Sequence, residues 1–446
     1  MYLLGVLFVA LGVSVSIALH EVGHLLPAKK FSVKVTQYMV GFGPTVWSRK
    51  RGETEYGLKA VPLGGYIRMI GMFPPKPGAD PSILRSSSTG RFSQLMDQAR
   101  EESMEQVKPG DEDRVFYKLS VPKKLVVMLG GPTMNLVIAV VLLTGIFSLY
   151  GIGEITARVS AVSQCVQTVP ATGTAAPKCS PTDPQAPANL AGIRPGDRII
   201  SMAGKPVSSW DDVRALIRPN GGRQIDIVVE REGQRLDLKA TPILNDVPRF
   251  DAAGKPVVGA DGKALTDRVG FMGFSPSAEI VKQPLTAVPA LVGNQIAATA
   301  GVVLRIPQKM EGIAKAAFGG GVRDPSLMSV VGVGRVAGEV ADGQLSGVAE
   351  SSSSKFVVLL SLVASLNLAL FVFNLIPLLP LDGGHAAGAL WEGLKRWVAR
   401  LRGRPNPGYV DVAKALPVAY VVSIALIGMS VLLMYADVVN PIKLGG

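Results

Sequence analysis

The chain has only three histidines and two cysteines, and just 18% of its 446 residues are charged. Two cysteines cannot supply a Cys-based metal cluster or a disulfide-rich scaffold. Any imidazole site must draw on His20, His24 and His385. Charge this sparse, beside 48% hydrophobic residues, argues against an ordinary soluble domain. The net charge is +12, but Lys and Arg gather at the ends of apolar runs, as cytoplasmic anchoring flanks do. No direct nucleic-acid contact is expected. The first run, Met1 to Leu19, has no charge at all. It lacks the basic start and small-residue cleavage site of a secretory signal and reads as a retained transmembrane helix.

Four runs have the length and apolarity to cross a bilayer, at about 2–26, 125–150, 356–379 and 415–435. Lys29, Lys30 and Lys34 follow the first, and Lys118, Lys123 and Lys124 precede the second. Lys395, Arg396, Arg400, Arg402 and Arg404 follow the third. This bias places those ends in the cytoplasm, with the N-terminus and the long span between helices two and three outside. The stretch 285–304 is apolar but carries Pro289, Gly293, Asn294 and Gln295, so a helix lying along the membrane surface or packed on the outer domain is expected there, not a fifth span.

In the first loop, Val33–Val40 and Glu55–Ala60 alternate like strands, punctuated by Gly41-Phe-Gly-Pro44 and Pro62-Leu-Gly-Gly65. Beyond Gly71 a Pro-, Ser- and charge-rich insert runs to about Asp113. In the outer span, Asn189-Leu-Ala-Gly-Ile-Arg-Pro-Gly-Asp-Arg-Ile199 precedes a helical stretch, Trp210 to Ile217. A hairpin at 224–240 turns at Gly233. This arrangement resembles a PDZ domain, a fold that commonly takes an extended peptide at a sheet edge; a purely structural cap is the other reading.

The expected fold is thus a polytopic α-helical membrane protein of about four transmembrane helices. It carries an extracytoplasmic α/β PDZ-like domain and a membrane-associated β-hairpin or sheet. The expected boundaries place a first helix with the metal motif at 1–28, the β segment and insert at 29–124, and a second helix at 125–150. The PDZ-like domain follows at 151–245, and a linker with the surface helix at 246–355. A third helix at 356–390, a basic cytoplasmic loop at 391–414, a fourth helix at 415–436 and a tail at 437–446 complete the chain.

His20-Glu21-Val22-Gly23-His24 is an H-E-x-x-H pattern. On a helix the i, i+4 spacing puts both imidazoles on one face, where they can hold Zn²⁺, with Glu21 beside it as general base. Ionisable groups at the end of an apolar run are costly and usually functional. Catalytic zinc normally has a third protein ligand. Asp382, in Asn374-Leu-Ile-Pro-Leu-Leu-Pro-Leu-Asp-Gly-Gly-His385, stands where a proline-broken apolar run ends, and His385 is its rival. If helices one and three both run inwards, His20, His24 and Asp382 lie at one depth near the cytoplasmic leaflet.

Taken together, these motifs resemble the site-2 protease family of intramembrane metalloproteases, in the bacterial form with an outer PDZ domain. The matches are His20–His24, Gly41–Pro44, Pro62–Tyr66, Gly130-Gly-Pro-Thr-Met-Asn135, the PDZ-like motif and Asn374…Leu381-Asp-Gly-Gly384. The resemblance implies that His20, His24 and Asp382 bind zinc and that Glu21 is the base. It implies that Asn374 positions substrate or stabilises the oxyanion, and that the segment around Gly41–Tyr66 offers a sheet edge to an unwound substrate strand. It further implies a multi-pass protein of the plasma or inner membrane performing regulated intramembrane proteolysis. Its partners would be single-pass membrane proteins such as anti-sigma factors, possibly signal-peptide remnants, membrane lipid, and an upstream site-1-type protease. Many family members carry two PDZ domains, whereas one is found here. Cys165 and Cys179 fall in an outward insertion, where a disulfide and two free thiols are both open. A silent PDZ scaffold would not need Glu21, and a transporter would show inverted repeats between its halves, which are absent.

Overall fold

The computed structural model describes residues 1–75, 91–105, 107–166, 179, 180, 183–249, 257, 265–319, 324, 326–343 and 351–441. In chain order, α1 (Tyr2–Lys30) leads into strands β1 (Val35–Arg51) and β2 (Thr54–Met69), then α2 (Arg91–Glu105) and α3 (Val121–Gly145). There follow β3 (Ile152–Val162), α4 (Pro187–Leu190), β4 (Arg198–Met202), β5 (Lys205–Pro206) and α5 (Trp210–Ile217). Next come β6 (Ile225–Arg231), β7 (Gln234–Ala240), β8 (Ile243–Pro248), β9 (Thr266–Phe271) and β10 (Phe274–Val281). The last helices are α6 (Val288–Leu304), α7 (Ile306–Gly319), α8 (Val330–Asp342), α9 (Ser352–Asn374), α10 (Asp382–Leu401) and α11 (Leu416–Val439). The chain divides into two units, residues 1–149 with 284–446, and Tyr150–Gln283.

The first unit is helical around α1, α3 and α9. Four of its helices, Tyr2–Lys30, Val121–Tyr150, Ser352–Asn374 and Val412–Val439, are long and apolar enough to cross a membrane. Their outer faces are apolar; Leu3, Leu7 and Leu11 of α1 and Val421, Ile424 and Ile427 of α11 are exposed. Where helices share an apolar solvent, small residues and interhelical hydrogen bonds hold them together. A Cβ on Gly23 would lie 2.3 Å from the Gly130 carbonyl oxygen, and one on Gly130 would lie 2.0 Å from that of Gly23. Only glycine permits this crossing of α1 and α3. On its other side α1 meets α9, where the Asn367 amide donates to Ser16 Oγ at 2.8 Å and Gly12 packs on Val363. The pairs 12/363 and 16/367 advance together, so α1 and α9 are parallel. The contacts of Gly23 with Gly130 and of His20 with Asn135 run oppositely, so α3 is antiparallel to both.

The strands of the first loop are longer than expected. Gly41, Gly43 and Gly64 take positive φ (94°, 84° and 109°) and bend β1 and β2 instead of ending them. Tyr38 therefore pairs with both Tyr56 and Ile67, and the Gly65–Met69 segment flanks one side of the sheet. The insert beyond Gly71 forms α2, but 76–90 lie outside the described residues. The stretch 285–304 forms α6, which continues through a 66° bend into α7, a pair that could count as one broken span. Within the expected linker, α8 packs Val336, Ala337 and Val340 against Val9 of α1. Its small residues carry too little apolar bulk to stand out in the sequence. The third long helix ends at Asn374, ahead of Pro377 and Pro380. Asp382 opens a new helix, α10, which runs on to Leu401 where a loop is expected.

The second unit holds a sheet of order β10-β3-β4-β6-β7, with β5 paired to β4 and a separate β8–β9 hairpin. Its core is Val159, Ile199, Met202, Val213, Ile227 and Val229. The expected hairpin is β6–β7, turning at Gly233 (φ 82°). The unit extends past the expected limit of 245 because β10 returns to pair with β3. Cys165 and Cys179 are disulfide-bonded, which settles that alternative. Asp197, its side chain fully buried, takes Arg231 Nε and Nη2 at 2.7 and 2.8 Å and the Arg194 N–H at 2.8 Å. Burial pushes this carboxyl up, but the arginine and the backbone N–H outweigh it and hold it below the usual range. It therefore contributes stability present above about pH 4 and lost as pH falls through that region. Arg231→Ala strands the buried carboxylate and is expected to lower the melting temperature of this unit. Thermal unfolding monitored near Trp210 checks it; an unchanged melting temperature would contradict this account.

Candidate metal centre

His20 and His24 lie on one face of α1, in the turns before Lys29 and Lys30 end it. Asp382 reaches them because the chain doubles back after α9. A Cβ on Gly383 would be 2.3 Å from Ile376 O, and one on Gly384 would be 2.5 Å from Leu379 N. The two glycines thus allow the tight turn that aims the first residue of α10 at α1. Ala386 of α10 then joins Leu25 and Ala28 of α1 and Val127 and Met128 of α3 in one core.

Three donor atoms converge there. His20 Nε2 and His24 Nε2 are 3.2 Å apart, and Asp382 Oδ2 lies 3.3 and 3.4 Å from them. Donors around a tetrahedral zinc at its usual bond lengths are separated by about 3.3 Å. Asp382 Oδ2 is buried without a well-formed hydrogen bond, as expected of an oxygen facing a cation. These three are the metal-capable cluster among the described residues, and their chemistry fits zinc. His385 lines the same pocket without joining the cluster.

The imidazoles are held from α3. His24 Nδ1–H donates to the Val127 carbonyl at 2.7 Å, which leaves Nε2 free as a ligand atom. His20 Nδ1 lies 3.1 Å from the Asn135 side-chain amide, whose Oδ1 is buried without a partner. Turning that amide over lets Oδ1 accept from Nδ1–H and frees His20 Nε2 in the same way. Asn135 is fully buried. Sequence reasoning placed it in a motif without a role; its only signal was a lone amide in an apolar helix.

Gly131 is the other residue missed. A Cβ there would be 2.2 Å from His24 Nε2 and 2.7 Å from His20 Nε2. Gly131→Ala is therefore expected to lower zinc affinity by at least about tenfold. Zinc content after dialysis against a chelator series measures this, and a wild-type value would contradict the close approach.

Glu21 is buried beside the cluster, its Cγ 3.0 Å from where a Cβ on Gly65 would stand. Gly65, Tyr66, Ile67 and Met69 line the pocket that holds His20, Glu21, His24 and Asp382, so the sheet's flank borders the site. Asn374 ends α9 half-buried and is not among the pocket's lining residues.

A family model described as Peptidase family M50 matches residues 8–417. Zinc metalloprotease Rip1 of Mycobacterium tuberculosis is 34% identical over 452 residues, covering 100% of this chain and 99% of its own. Zinc metalloprotease Rip1 of Mycolicibacterium smegmatis is 33% identical over 463 residues, with the same coverage of each chain.

Proposed function

The chain belongs to peptidase family M50, the zinc metallopeptidases, and from that premise we propose that it cleaves pre-trimmed single-pass membrane proteins within the bilayer. The observation that carries this reading is the convergence of His20, His24 and Asp382 in the C-terminal half of an apolar helix, beside the Gly65–Met69 strand segment that lines the same pocket. His20, His24 and Asp382 would hold the metal. Zinc, when bound, supplies Lewis acidity that brings the pKa of a water towards about 7. Glu21 takes the proton from the attacking water and hands it to the leaving amine. Val127 and Asn135 fix the imidazole tautomers. A substrate helix hides its peptide bonds, so it must unwind; Gly65–Met69 offers a strand to pair with the opened segment. Asn374 stands outside the pocket lining and is given no step.

Parallel α1 and α9, with α3 antiparallel between them, support an odd number of crossings from α1 to α9. The bent α6–α7 pair then enters and leaves on one side. With the basic flanks, this supports an outward N-terminus and second unit, and a metal centre near the cytoplasmic leaflet. The second unit would act as a PDZ-like filter that excludes or recognises untrimmed substrates. Its substrates would be anti-sigma factors or proteins of that kind, with an upstream site-1-type protease doing the trimming. The test is to reconstitute the protein with one single-pass substrate in intact and outwardly trimmed forms. The trimmed form is expected to be cut at least ten times faster. Equal rates would overturn the filtering role.

A further inference from the structure

The amphipathic helix α10 carries a surface that the metal centre does not use. Its inner face packs Gly383, Ala386, Ala389 and Glu392. Its outer face exposes Leu390, Trp391, Leu394, Trp397 and Leu401, each 47–67% accessible. All but Trp391 follow an i, i+4, i+7, i+11 spacing and form one stripe, with Trp391 on its border. Lys395 and Arg402 flank the stripe on one side and Arg400 on the other, and Arg404 follows. All four are exposed, and no carboxylate pairs with them among the described residues. The helix's two acids are engaged elsewhere: Asp382 at the metal centre, and Glu392 with Lys124 and Arg396, both at 2.8 Å.

The depth of this stripe is set by its neighbours. Gly393 packs on Val121, the first residue of α3, at 3.3 Å from the position of an added Cβ. Gly388 packs on Val412, where the last span begins. The helix therefore leaves the metal centre at Asp382, passes the start of the last span about 9 Å along and reaches the start of α3 about 16 Å along. The residues beyond, Leu394 to Arg404, lie past the starts of both spans. Trp397 beside leucines and unpaired arginines in that stretch, with Trp391 just before it, matches the headgroup layer, where aromatic rings and basic side chains anchor.

We propose that the outer half of α10 docks on the bilayer surface, with Trp397 and Leu401 in the headgroup layer and Arg400, Arg402 and Arg404 binding anionic phospholipid. The occupant is lipid because α10 packs against the starts of two spans and the charges that flank its apolar stripe are positive. The inference rests on the membrane placement proposed above and not on the reaction, so it is tested without substrate.

The test uses the full-length protein in vesicles containing brominated phosphatidylcholine or brominated phosphatidylglycerol. Subtracting the fluorescence of W391F/W397F isolates α10 from Trp47 and Trp210. Quenching by both lipids, stronger with phosphatidylglycerol, is expected. R400Q/R402Q/R404Q should lower that preference by at least about tenfold, since each arginine contributes on the order of fivefold at an anionic surface. Equal quenching by the two lipids overturns the anionic site. No quenching by either, with α10 cross-linking to a second copy or another protein, overturns lipid as the occupant. Wild-type zinc content in the triple variant separates loss of lipid binding from a damaged metal centre.

Discussion

Replacing Glu21 with glutamine is expected to lower cleavage by about 10³-fold while leaving zinc bound. Glutamine keeps the size of the side chain, its contact with Gly65 and its place beside His20 and His24. It cannot accept the proton of the attacking water, and general-base catalysis of this kind is worth about 10²–10⁴ in rate. The measurement is turnover of a tagged, pre-trimmed substrate alongside zinc stoichiometry. Equal substrate loss in wild type and Glu21→Gln would remove Glu21 from the chemistry. Zinc lost together with activity would make it a positioning group for the centre.

The second large effect concerns Asp382. Asp382→Ala leaves two imidazoles 3.2 Å apart with no anionic donor facing them. Zinc affinity is expected to fall more than about 100-fold, and activity with it. The paired control is His385→Ala, which alters the same pocket but not the converging donors. That variant should retain its zinc. Metal that survived Asp382→Ala and was lost from His385→Ala would reassign the third ligand.

Much of this centre was legible in the sequence because its signals are local. An i, i+4 histidine pair needs only a helix to converge, and Asp382 stood out as a carboxylate at the end of an apolar run. The supporting residues were not legible. Gly131 and Asn135 act by proximity across 107 and more residues of chain, and nothing within α3 reveals what it faces. The part of α10 beyond residue 390 was read as a loop because Lys395, Arg396, Arg400 and Arg402 drew attention to charge. Its period became readable only once Ala386, Ala389 and Glu392 were seen to pack inward. The β1–β2 sheet shows a related effect: Gly41 and Gly64 look like strand ends in sequence, but positive φ lets them bend continuous strands. The second unit was the most predictable part, since Asp197, Gly233 and the alternation in β6 are short-range features. Its opening strand β3, the β8–β9 hairpin and the closing strand β10, which pairs with the distant β3, escaped.

The most direct measurement is the position of the scissile bond, mapped by mass spectrometry on a trimmed single-pass substrate. A metal centre in the C-terminal half of α1, beside Gly65–Met69, with the cytoplasmic orientation proposed above, predicts cleavage inside the substrate's apolar segment near its cytoplasmic end, with no such product from Glu21→Gln. A cut confined to the aqueous flanks, or the same product from Glu21→Gln, would contradict the account.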